Sequence, residues 1–365
     1  MHEKLSREQV FFITFLGILG NIIYVHTWID NDADRAAWVA SLIGICVTIP
    51  FAVWIMYLGK CRPELTIFDM LKDGLGKMAC WLMCLLFIAI NISVSATHLN
   101  MYTEMLKVFF LQYTPPAVIM FFLVLIAFLV VNSGVLIIGR LVGILTVIGL
   151  SNYFLSFTLA FPKMINIKYV YPIFDTSLTG LTKGCIFMGS SSCEVLLILM
   201  IFVSSIPDPY KHRKWVINGI LIADLVFSLG ILVIMAMLSP ELAKRIAFGG
   251  VNAARLIKVG SYVHGLEVFV MGTYQFLAIG KVILCLYCSW VSSTKIFGEK
   301  KPRLQLAIFS LAILIPSVLI NSYNKAYFLA VFLVNYVILP FSILVLILAA
   351  ISVKRYQNRT GSAVK

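Results

Sequence analysis

The amino-acid sequence predicts an all-α integral membrane protein with ten transmembrane helices. Of its 365 residues, 61% are hydrophobic and only 12% are charged, and the mean hydropathy is +0.98. A soluble domain has an apolar share nearer one half and a charged share of about one quarter, so this chain belongs in a lipid bilayer. In addition, the apolar residues form stretches of roughly 20, the length that crosses a membrane as a helix.

Ten such stretches follow one another along the chain. They cover residues 9–28, 36–58, 79–107, 116–138, 141–161, 184–206, 215–238, 262–291, 304–321 and 327–351. The third and eighth are longer than a bilayer requires, so we expect them to tilt or to project at one end. The connections are too short for an independent soluble domain. We therefore expect a single polytopic membrane domain over residues 1–365.

The basic residues predict which side of the membrane each connection faces. Most Lys and Arg residues outside the spans fall on the side of the N-terminus, and the first loop on the opposite side carries Asp30, Asp32 and Asp34 against Arg35. Positively charged loops stay in the cytoplasm, so both termini are expected there, with residues 352–365 as a tail. These surface residues account for the net charge of +13, and nucleic-acid binding is not expected.

One cytoplasmic connection shows a helical pattern. Residues 65–77 space their apolar side chains as a short amphipathic helix does, and Gly74 or Gly76 is expected to end it. We expect this helix on the membrane surface.

Two spans are interrupted at corresponding places. The interruptions are Gly17-Ile18-Leu19-Gly20-Asn21 in span one and Gly189-Ser190-Ser191-Ser192-Cys193-Glu194 in span six. Unwound backbone survives in a bilayer only where protein or a water-filled cavity satisfies it, so two matching breaks predict a shared binding site at the midplane. The alternative for Gly17 and Gly20 is a close helix-packing surface, because small residues let helices approach.

Four carboxylates lie within or near the ends of apolar spans: Glu104, Glu194, Asp224 and Glu267. An uncompensated charge there costs roughly 2.5–3.5 kcal/mol, so each needs a partner or a cavity. Glu194 follows the break in span six, where it is expected to bind a substrate ammonium, to bind a proton, or to accept N–H groups of the half-helix. Glu104 and Glu267 are expected at the outer mouth as gating or ion-pairing groups, and Asp224 is expected to pair inside the bundle.

Catalytic and metal-binding patterns are missing from the sequence, so no enzyme activity, cofactor or metal is expected. Cys285 and Cys288 have redox spacing, but within an apolar span a packing role is expected. His98 and His264 lie near the outer halves of spans three and eight. Each is either a hydrogen-bonded structural residue, the interpretation we favour, or part of a proton relay.

The sequence resembles the B subunits of spore germinant receptors, permease-like membrane proteins of spore-forming bacteria within the amino acid–polyamine–organocation superfamily. The segments that carry the resemblance are Leu5-Ser6-Arg7-Glu8-Gln9 with Gly17-Ile18-Leu19-Gly20, Leu71-Lys72-Asp73-Gly74-Leu75-Gly76-Lys77, Thr103-Glu104-Met105, Tyr113-Thr114-Pro115, Gly139-Arg140-Leu141, Tyr171-Pro172-Ile173-Phe174, Lys183-Gly184, Cys193-Glu194-Val195-Leu196-Leu197, Arg255-Leu256-Ile257 and Gly265-Leu266-Glu267. The order and spacing of these segments cover nearly the whole chain.

The resemblance implies the amino-acid permease (LeuT-like) fold, with two inverted five-helix repeats at about residues 9–161 and 184–351 and with helices one and six broken. It also implies a nutrient pocket between spans one, three, six and eight. The expected partners are a receptor A subunit and a lipoprotein C subunit in the spore inner membrane.

The expected ligand is a small zwitterionic nutrient, an amino acid. Free N–H groups around Gly20 and Ser191 are expected to hold its carboxylate, and exposed carbonyls near Gly17 and Gly189 its ammonium. The predicted ligand-binding residues are Gly17, Gly20, Asn21, Thr97, Asn100, Gly189, Ser190, Ser191, Ser192, Glu194 and Tyr274.

Two functions share this fold, and the fold does not decide between them. The resemblance favours a subunit that senses a nutrient and signals to partner subunits to trigger germination. The alternative is a proton-coupled amino-acid transporter of the inner membrane, and an intramembrane enzyme is a distant third.

Overall fold

The computed structural model describes residues 4–25, 27, 32–160, 165–172, 175–257, 265–298 and 301–360. Within these residues all regular secondary structure is helical. The α-helices are α1 (Arg7–Leu19), α2 (Ala37–Gly44), α3 (Thr48–Cys61), α4 (Ile67–Leu75), α5 (Lys77–Phe109), α6 (Pro116–Asn132), α7 (Val135–Ala160), α8 (Leu178–Ser192), α9 (Glu194–Phe202), α10 (Pro209–Leu238), α11 (Pro240–Ala243), α12 (Gly249–Arg255), α13 (Glu267–Phe297), α14 (Pro302–Ile320), α15 (Tyr323–Phe332) and α16 (Leu339–Thr360). A 3₁₀ turn, Ile45–Val47, joins α2 to α3, and a π-helical segment, Leu333–Ile338, joins α15 to α16.

Each of the ten predicted spans overlaps a helix or a pair of joined helices of this structure. Counted over the described residues, eight helical segments are long and apolar enough to cross a membrane, and α6 is a shorter apolar helix. The predicted excess length of spans three and eight is confirmed, because α5 has 33 residues and α13 has 31.

The predicted boundary between spans four and five is wrong. Helix α6 ends at Asn132, and α7 already begins at Val135, so Arg140 lies inside α7 rather than in a loop. The turn between them needs Gly134, whose φ of +96° is in the region that favours glycine. Apolar residues continue on both sides of this turn, so hydropathy alone does not reveal it.

The predicted break in span one is confirmed. Helix α1 starts with a capping box, in which the Ser6 hydroxyl accepts the Gln9 N–H and the Gln9 side chain accepts the Ser6 N–H. It ends at Leu19, and the next residues form tighter turns, with Asn21 N bonded to the carbonyl of Ile18.

The predicted unwinding of residues 189–192 in span six is wrong. These residues are the last turn of α8, and the interruption before α9 is Cys193 alone. The Cys193 N–H still bonds to the carbonyls of Gly189 and Ser190, so span six is nearly continuous. Its Gly-Ser run serves close packing, because an added Cβ at Gly189 would lie 2.8 Å from the carbonyl oxygen of Gly44 in α2.

The amphipathic helix predicted at residues 65–77 forms as α4, and Gly76, with a φ of +95°, ends it. Its placement on the membrane surface is wrong. The apolar residues Ile67, Phe68 and Leu71 are fully buried inside the protein, because α4 packs against α5 and α16.

Burial separates the central helices from those that face lipid. Every residue from 187 to 203 in span six is buried, so this span runs through the centre of the bundle. Helix α14 instead exposes an apolar stripe: Leu304, Ile308, Leu311, Ile315 and Leu319. A soluble protein does not expose such a stripe along a whole helix, whereas a bilayer covers it.

The Gly189–Gly44 contact gives the first prediction. We expect Gly189→Ala to lower the free energy of unfolding by about 1–3 kcal/mol, the usual range for overpacking, because the added methyl group meets the backbone of α2. The measurement is thermal unfolding of the purified chain in detergent. The matched control is Gly149→Ala, since the nearest atom to that Cβ is 3.7 Å away. Equal midpoints for the two variants would contradict the close-packing role.

Candidate functional site

A buried ion pair joins spans six and eight at the centre of the bundle. The Lys281 ammonium lies 2.7 Å from Oε2 of Glu194, and the two side chains are 0% and 3% exposed. Glu194 is the first residue of α9, and Lys281 lies in the middle of α13. Two opposite charges in contact can both remain ionised at a depth where a single charge is costly.

Span one supplies the other oxygen atoms around this ammonium. Lys281 Nζ donates to the carbonyl of Gly17 at 2.7 Å and to Oδ1 of Asn21 at 3.1 Å. In a continuing α-helix the Gly17 carbonyl would accept the N–H of Asn21, but that N–H bonds to Ile18 instead. The end of α1 therefore frees the carbonyl that Lys281 uses.

The same turn frees a second carbonyl. The N–H of Tyr24, which a regular helix would direct to Gly20, bonds to Asn21 at 3.3 Å. The Tyr102 hydroxyl of α5 donates to the Gly20 carbonyl at 2.8 Å. Spans three and eight thus each satisfy one carbonyl of the broken helix, as buried backbone requires.

Asn21 connects span one with spans three, six and eight. Its Nδ2 donates to the Ser191 carbonyl at 3.0 Å and to the Ser191 hydroxyl at 3.1 Å. These bonds and the bond from Lys281 fix the orientation of the amide, with Oδ1 toward the ammonium. His98 Nε2 lies 3.1 Å from the same Oδ1, and His98 Nδ1 lies 2.7 Å from the carbonyl of Val94.

Tyr24 completes the cluster. Its hydroxyl donates to Oε1 of Glu194 at 3.0 Å, and its ring meets the His98 ring edge to face, with centroids 5.5 Å apart. The two carboxylate oxygens of Glu194 therefore contact side chains of two other spans, Oε1 the Tyr24 hydroxyl and Oε2 the Lys281 ammonium. We call this group, which comprises Gly17, Asn21, Tyr24, His98, Ser191, Glu194 and Lys281, the midplane network.

Gly17 in α1 and Gly20, the residue after its end, let neighbouring side chains approach closely. An added Cβ at Gly20 would lie 3.0 Å from Cδ of Lys281, and one at Gly17 would lie 2.9 Å from Cγ2 of Val195. Gly20 therefore leaves room for the Lys281 stem, and Gly17 packs against α9. The two interpretations of this segment, a break in span one and a close helix-packing surface at Gly17 and Gly20, are therefore both correct.

Several residues predicted to line the site lie outside the midplane network. The Thr97 hydroxyl bonds to the carbonyl of Val94 in its own helix at 2.9 Å, and Asn100 Nδ2 bonds to Ser317 of α14 at 3.1 Å. Tyr274 is fully buried, and its hydroxyl lies against Gly250 of α12. Thr97 and Asn100 were expected there as side chains of span three, but helical geometry directs them to other neighbours.

The predicted roles of residues 189–192 change in the same way. The Gly189 carbonyl accepts the Cys193 N–H and the Thr48 hydroxyl, so it is not free for an ammonium. Ser190 and Ser192 are buried helical residues. Ser191 alone contributes to the network, through its carbonyl and its hydroxyl.

The remaining candidate carboxylates lie outside the midplane network. Glu104 is 3.6 Å from Lys107, and Glu267 is 3.9 Å from Arg255, so both have the basic partners expected of ion-pairing groups. Asp224 accepts the Ser41 hydroxyl at 2.9 Å. His264 lies outside the described residues.

Sequence reasoning missed the main partner in the network. Lys281 is a basic residue in the middle of an apolar span, and a membrane-embedded charge is a functional candidate that requires an opposite charge. That rule calls for one of the four candidate carboxylates as a partner, and the structure shows that the partner is Glu194. Tyr24 and Tyr102 carry no comparable signal, because apolar helices contain many tyrosines.

Two solved transporter structures share the fold of this chain. MhsT in complex with L-phenylalanine has a TM-score of 0.58 and 15% identity, with 95% of this chain and 89% of that chain covered. A manganese transporter of Eremococcus coleocola has a TM-score of 0.64 and 13% identity, with 93% and 78% covered. At such identities the likeness shows the fold alone. The fold and the buried network define the class, a multi-pass membrane protein of the LeuT transporter fold.

The sequence profile described as "Spore germination protein" matches residues 4–325. The chain therefore belongs to this family of spore germination permeases, which are non-enzymatic membrane proteins. Spore germination protein KB of Bacillus subtilis (strain 168) is 25% identical over 325 residues, covering 87% of this chain and 85% of that protein. Putative spore germination protein YfkT of the same strain is 24% identical over 230 residues, covering 62% and 63%.

The buried ion pair gives the second prediction. Removing one partner of such a pair leaves an uncompensated charge and costs about 3–5 kcal/mol. We expect this loss in Lys281→Met and in Glu194→Gln, measured by thermal unfolding in detergent. The double variant is expected to lose less free energy of unfolding than the sum of the losses in the two single variants.

Lys211→Met is the control for this cycle, because Lys211 and Asp208 form an exposed pair at 3.3 Å. Its expected effect is under about 1 kcal/mol. Strictly additive losses in the Lys281–Glu194 cycle would show that the two charges are not coupled.

Proposed function

We propose that this chain is the nutrient-sensing transmembrane subunit of a spore germinant receptor. The observation that carries the proposal is the midplane network, in which spans three, six and eight all bond to the broken first helix. The family supplies the biological setting, and the network supplies a place where binding can change the packing of several helices at once.

The binding site we propose lies on the side of the network toward Tyr274. On α13, Tyr274 precedes Lys281 by two helical turns, so it lies nearer the end where Glu267 meets Arg255. Within the described part of the chain, the buried hydroxyls of Tyr274 and Thr103 have no hydrogen-bond partner. Buried polar groups are rarely left unpaired, and the ammonium and carboxylate of an amino acid are suitable partners for such hydroxyls.

The proposed pocket retains Gly20, Asn21, Ser191, Glu194 and Tyr274 from the sequence-based set. The Gly17 carbonyl is not free for a nutrient ammonium, because Lys281 binds it. The ammonium of a nutrient would instead contact Glu194 beside Tyr24, or the carboxylate of the nutrient would pair with the Lys281 ammonium. Either contact changes the bonds that hold α13 to α1.

Signalling would follow from that change. A ligand shifts a conformational equilibrium by its differential affinity for the two states, and Lys281 contacts two spans other than its own. Movement of α13 relative to α1 and α9 would then be passed to partner subunits. We propose an A subunit and a lipoprotein C subunit as those partners, in the spore inner membrane.

The proposal includes a ten-span topology of two inverted five-helix repeats, at about residues 9–161 and 184–351, with both termini in the cytoplasm. The likeness to transporter structures of the LeuT fold supports the repeats. The distribution of basic residues supports the orientation.

The test of sensing is binding and uptake of labelled alanine, valine, asparagine, proline, glucose and inosine by the full chain in liposomes, with and without a proton gradient. Saturable binding without accumulation is expected. Tyr274→Phe is expected to weaken binding about 3–10-fold, the effect of losing one hydrogen bond. Tyr113→Phe is the control, because Tyr113 is 98% exposed. A lack of binding to every compound would contradict the proposal for the isolated subunit.

One observation favours the alternative, a proton-coupled amino-acid transporter. Both ring nitrogens of His98 face acceptor oxygens, the Val94 carbonyl and Oδ1 of Asn21. A neutral imidazole carries one N–H, so a ring that donates to both oxygens must hold a second proton. His98 is therefore the proton site of this alternative, with Glu194, Lys281 and Tyr24 as its charged and titratable neighbours.

In the same liposomes, a transporter would accumulate the bound nutrient when a proton gradient is imposed. His98→Gln is then expected to abolish the accumulation that depends on the proton gradient and to leave the exchange of nutrient that does not depend on it. His212, which is partly exposed and lies outside the midplane network, provides the control variant His212→Gln. Undiminished gradient-driven accumulation in His98→Gln would remove His98 from the proton path.

A further inference from the structure

A groove of about 380 Å³ lies between α1 and α7 at the surface of the bundle. The residues that line it are mostly apolar, and three of them, Ile144, Val147 and Ile148, are 56%, 51% and 43% exposed. Gly143 lies close to the Phe12 ring, because an added Cβ would be 3.2 Å from Cδ2 of that ring. In a membrane, lipid covers exposed apolar residues of this kind.

The groove has the length of one lipid chain. From Gly139 to Ile148 helix α7 advances by nine residues, which is about 14 Å at a rise of 1.5 Å per residue. The hydrocarbon core of a bilayer is about 30 Å thick, so each leaflet supplies about half of that depth. One acyl chain that lies along α7 therefore extends over the whole groove.

An arginine lies where the groove approaches the beginnings of α1 and α7. Arg140 is exposed, and within the described part of the chain it has neither a hydrogen bond nor a salt bridge. It also borders a second cavity, of about 540 Å³, among Lys4 and Ser6. Gln9 lines both cavities, and its Nε2 donates to the Leu136 carbonyl at 3.2 Å. The apolar groove is thus continuous with a polar cavity.

The charges around the polar cavity favour an anionic ligand. Lys4 already pairs with Glu64 at 2.7 Å, and the Glu8 carboxylate accepts the Ser6 hydroxyl at 2.7 Å. Among the described residues that line the two cavities, Arg140 is the cation without a carboxylate partner. A guanidinium binds phosphate oxygens in a bidentate manner. A lipid with a net negative charge supplies the missing counter-ion, whereas the phosphate of a zwitterionic lipid already has a cation in its own headgroup.

We propose that this groove binds an anionic glycerophospholipid from the leaflet in which α1 begins. The phosphate binds Arg140, the rest of the headgroup lies in the polar cavity, and one acyl chain lies along α7 from Gly143 to Ile148. The lipid also contacts Phe12, so it fills the seam between span five and the helix that ends in the midplane network. The inference goes beyond nutrient sensing and does not depend on it.

The alternative is ordinary lipid that covers any apolar surface of the protein. Helix α14 provides the comparison, because Arg303 lies in its first turn and Ile308 belongs to its exposed apolar stripe. Neither residue lines the groove or the polar cavity. Such a surface is covered by lipid without selection of one headgroup.

The experiment measures lipid binding to the full chain in detergent by native mass spectrometry. The probes are dioleoyl-phosphatidylglycerol and dioleoyl-phosphatidylcholine, which share their acyl chains and differ in net charge. Arg140→Gln removes the cation, and Ile144→Trp fills the groove. The matched controls are Arg303→Gln and Ile308→Trp, since Ile144 and Ile308 are 56% and 53% exposed.

We expect the wild-type chain to retain one phosphatidylglycerol about 10-fold more tightly than phosphatidylcholine, the effect of one hydrogen bond to a charged group. Arg140→Gln is expected to abolish this preference. Ile144→Trp is expected to weaken the binding of both lipids about 10-fold, because about two CH₂ groups lose their contacts in the groove. The two control variants should bind both lipids as the wild type does. All four positions are exposed, so the thermal midpoints should stay close to that of the wild type.

Three results would overturn the proposal. The first is equal retention of the two lipids by the wild-type chain. The second is an equal effect of Arg140→Gln and Arg303→Gln, which would show that only the overall surface charge matters. The third is normal lipid binding by Ile144→Trp, which would leave the groove to another occupant, such as a helix of a different protein.

A soluble competitor separates the lipid from a free phosphate compound. Glycerol phosphate has the phosphate group without the acyl chains, and we expect it not to displace phosphatidylglycerol at an equal concentration. Displacement would show that the groove is not part of the site. Arg140→Gln and Ile144→Trp probe the headgroup and the chain separately, so either one tests the proposal if the other cannot be purified. No nutrient is present, so a failure here is separate from any failure of the sensing function.

Discussion

The rest of this structure depends on the cost of a charge inside a membrane. Lys281 and Glu194 are buried at the centre of the bundle, and neither can be placed there without the other. Their contact requires α13 and α9 to be adjacent, and the remaining donors of the ammonium require oxygen atoms from a third helix. The broken end of α1 supplies them, through the carbonyl of Gly17 and the amide of Asn21.

The break in α1 and the near-continuity of span six have the same physical cause. Backbone groups that leave a helix must find other partners in a bilayer. At Gly17 and Gly20 the partners are Lys281 and Tyr102, so the chain can turn there. At residues 189–192 the helix keeps its own bonds, and Gly189 packs against the backbone of α2.

Much of the fold could be predicted from the sequence, because hydropathy and length identify helices in a membrane. The turn at Gly134 could not, since apolar residues continue through it. Glu194 and Asn21 were predicted in the site because they follow small, flexible residues. Thr97, Asn100 and Gly189 were misplaced, because the direction in which a helical side chain points depends on how the helix is rotated against its neighbours. Lys281 was recognisable as a basic residue within an apolar span, but this observation identifies the site only once its partner, Glu194 in a distant span, is known.

The covalent attachment of the Lys281 ammonium to α13 has a consequence for the way the site responds to its surroundings. A free ion occupies a site in proportion to its concentration in the medium, but a tethered one meets its oxygens at an effective concentration that the side-chain geometry sets. Dilution or desiccation leaves the occupancy unchanged. When the bundle opens, the charge stays on the protein and can return as soon as the helices close again.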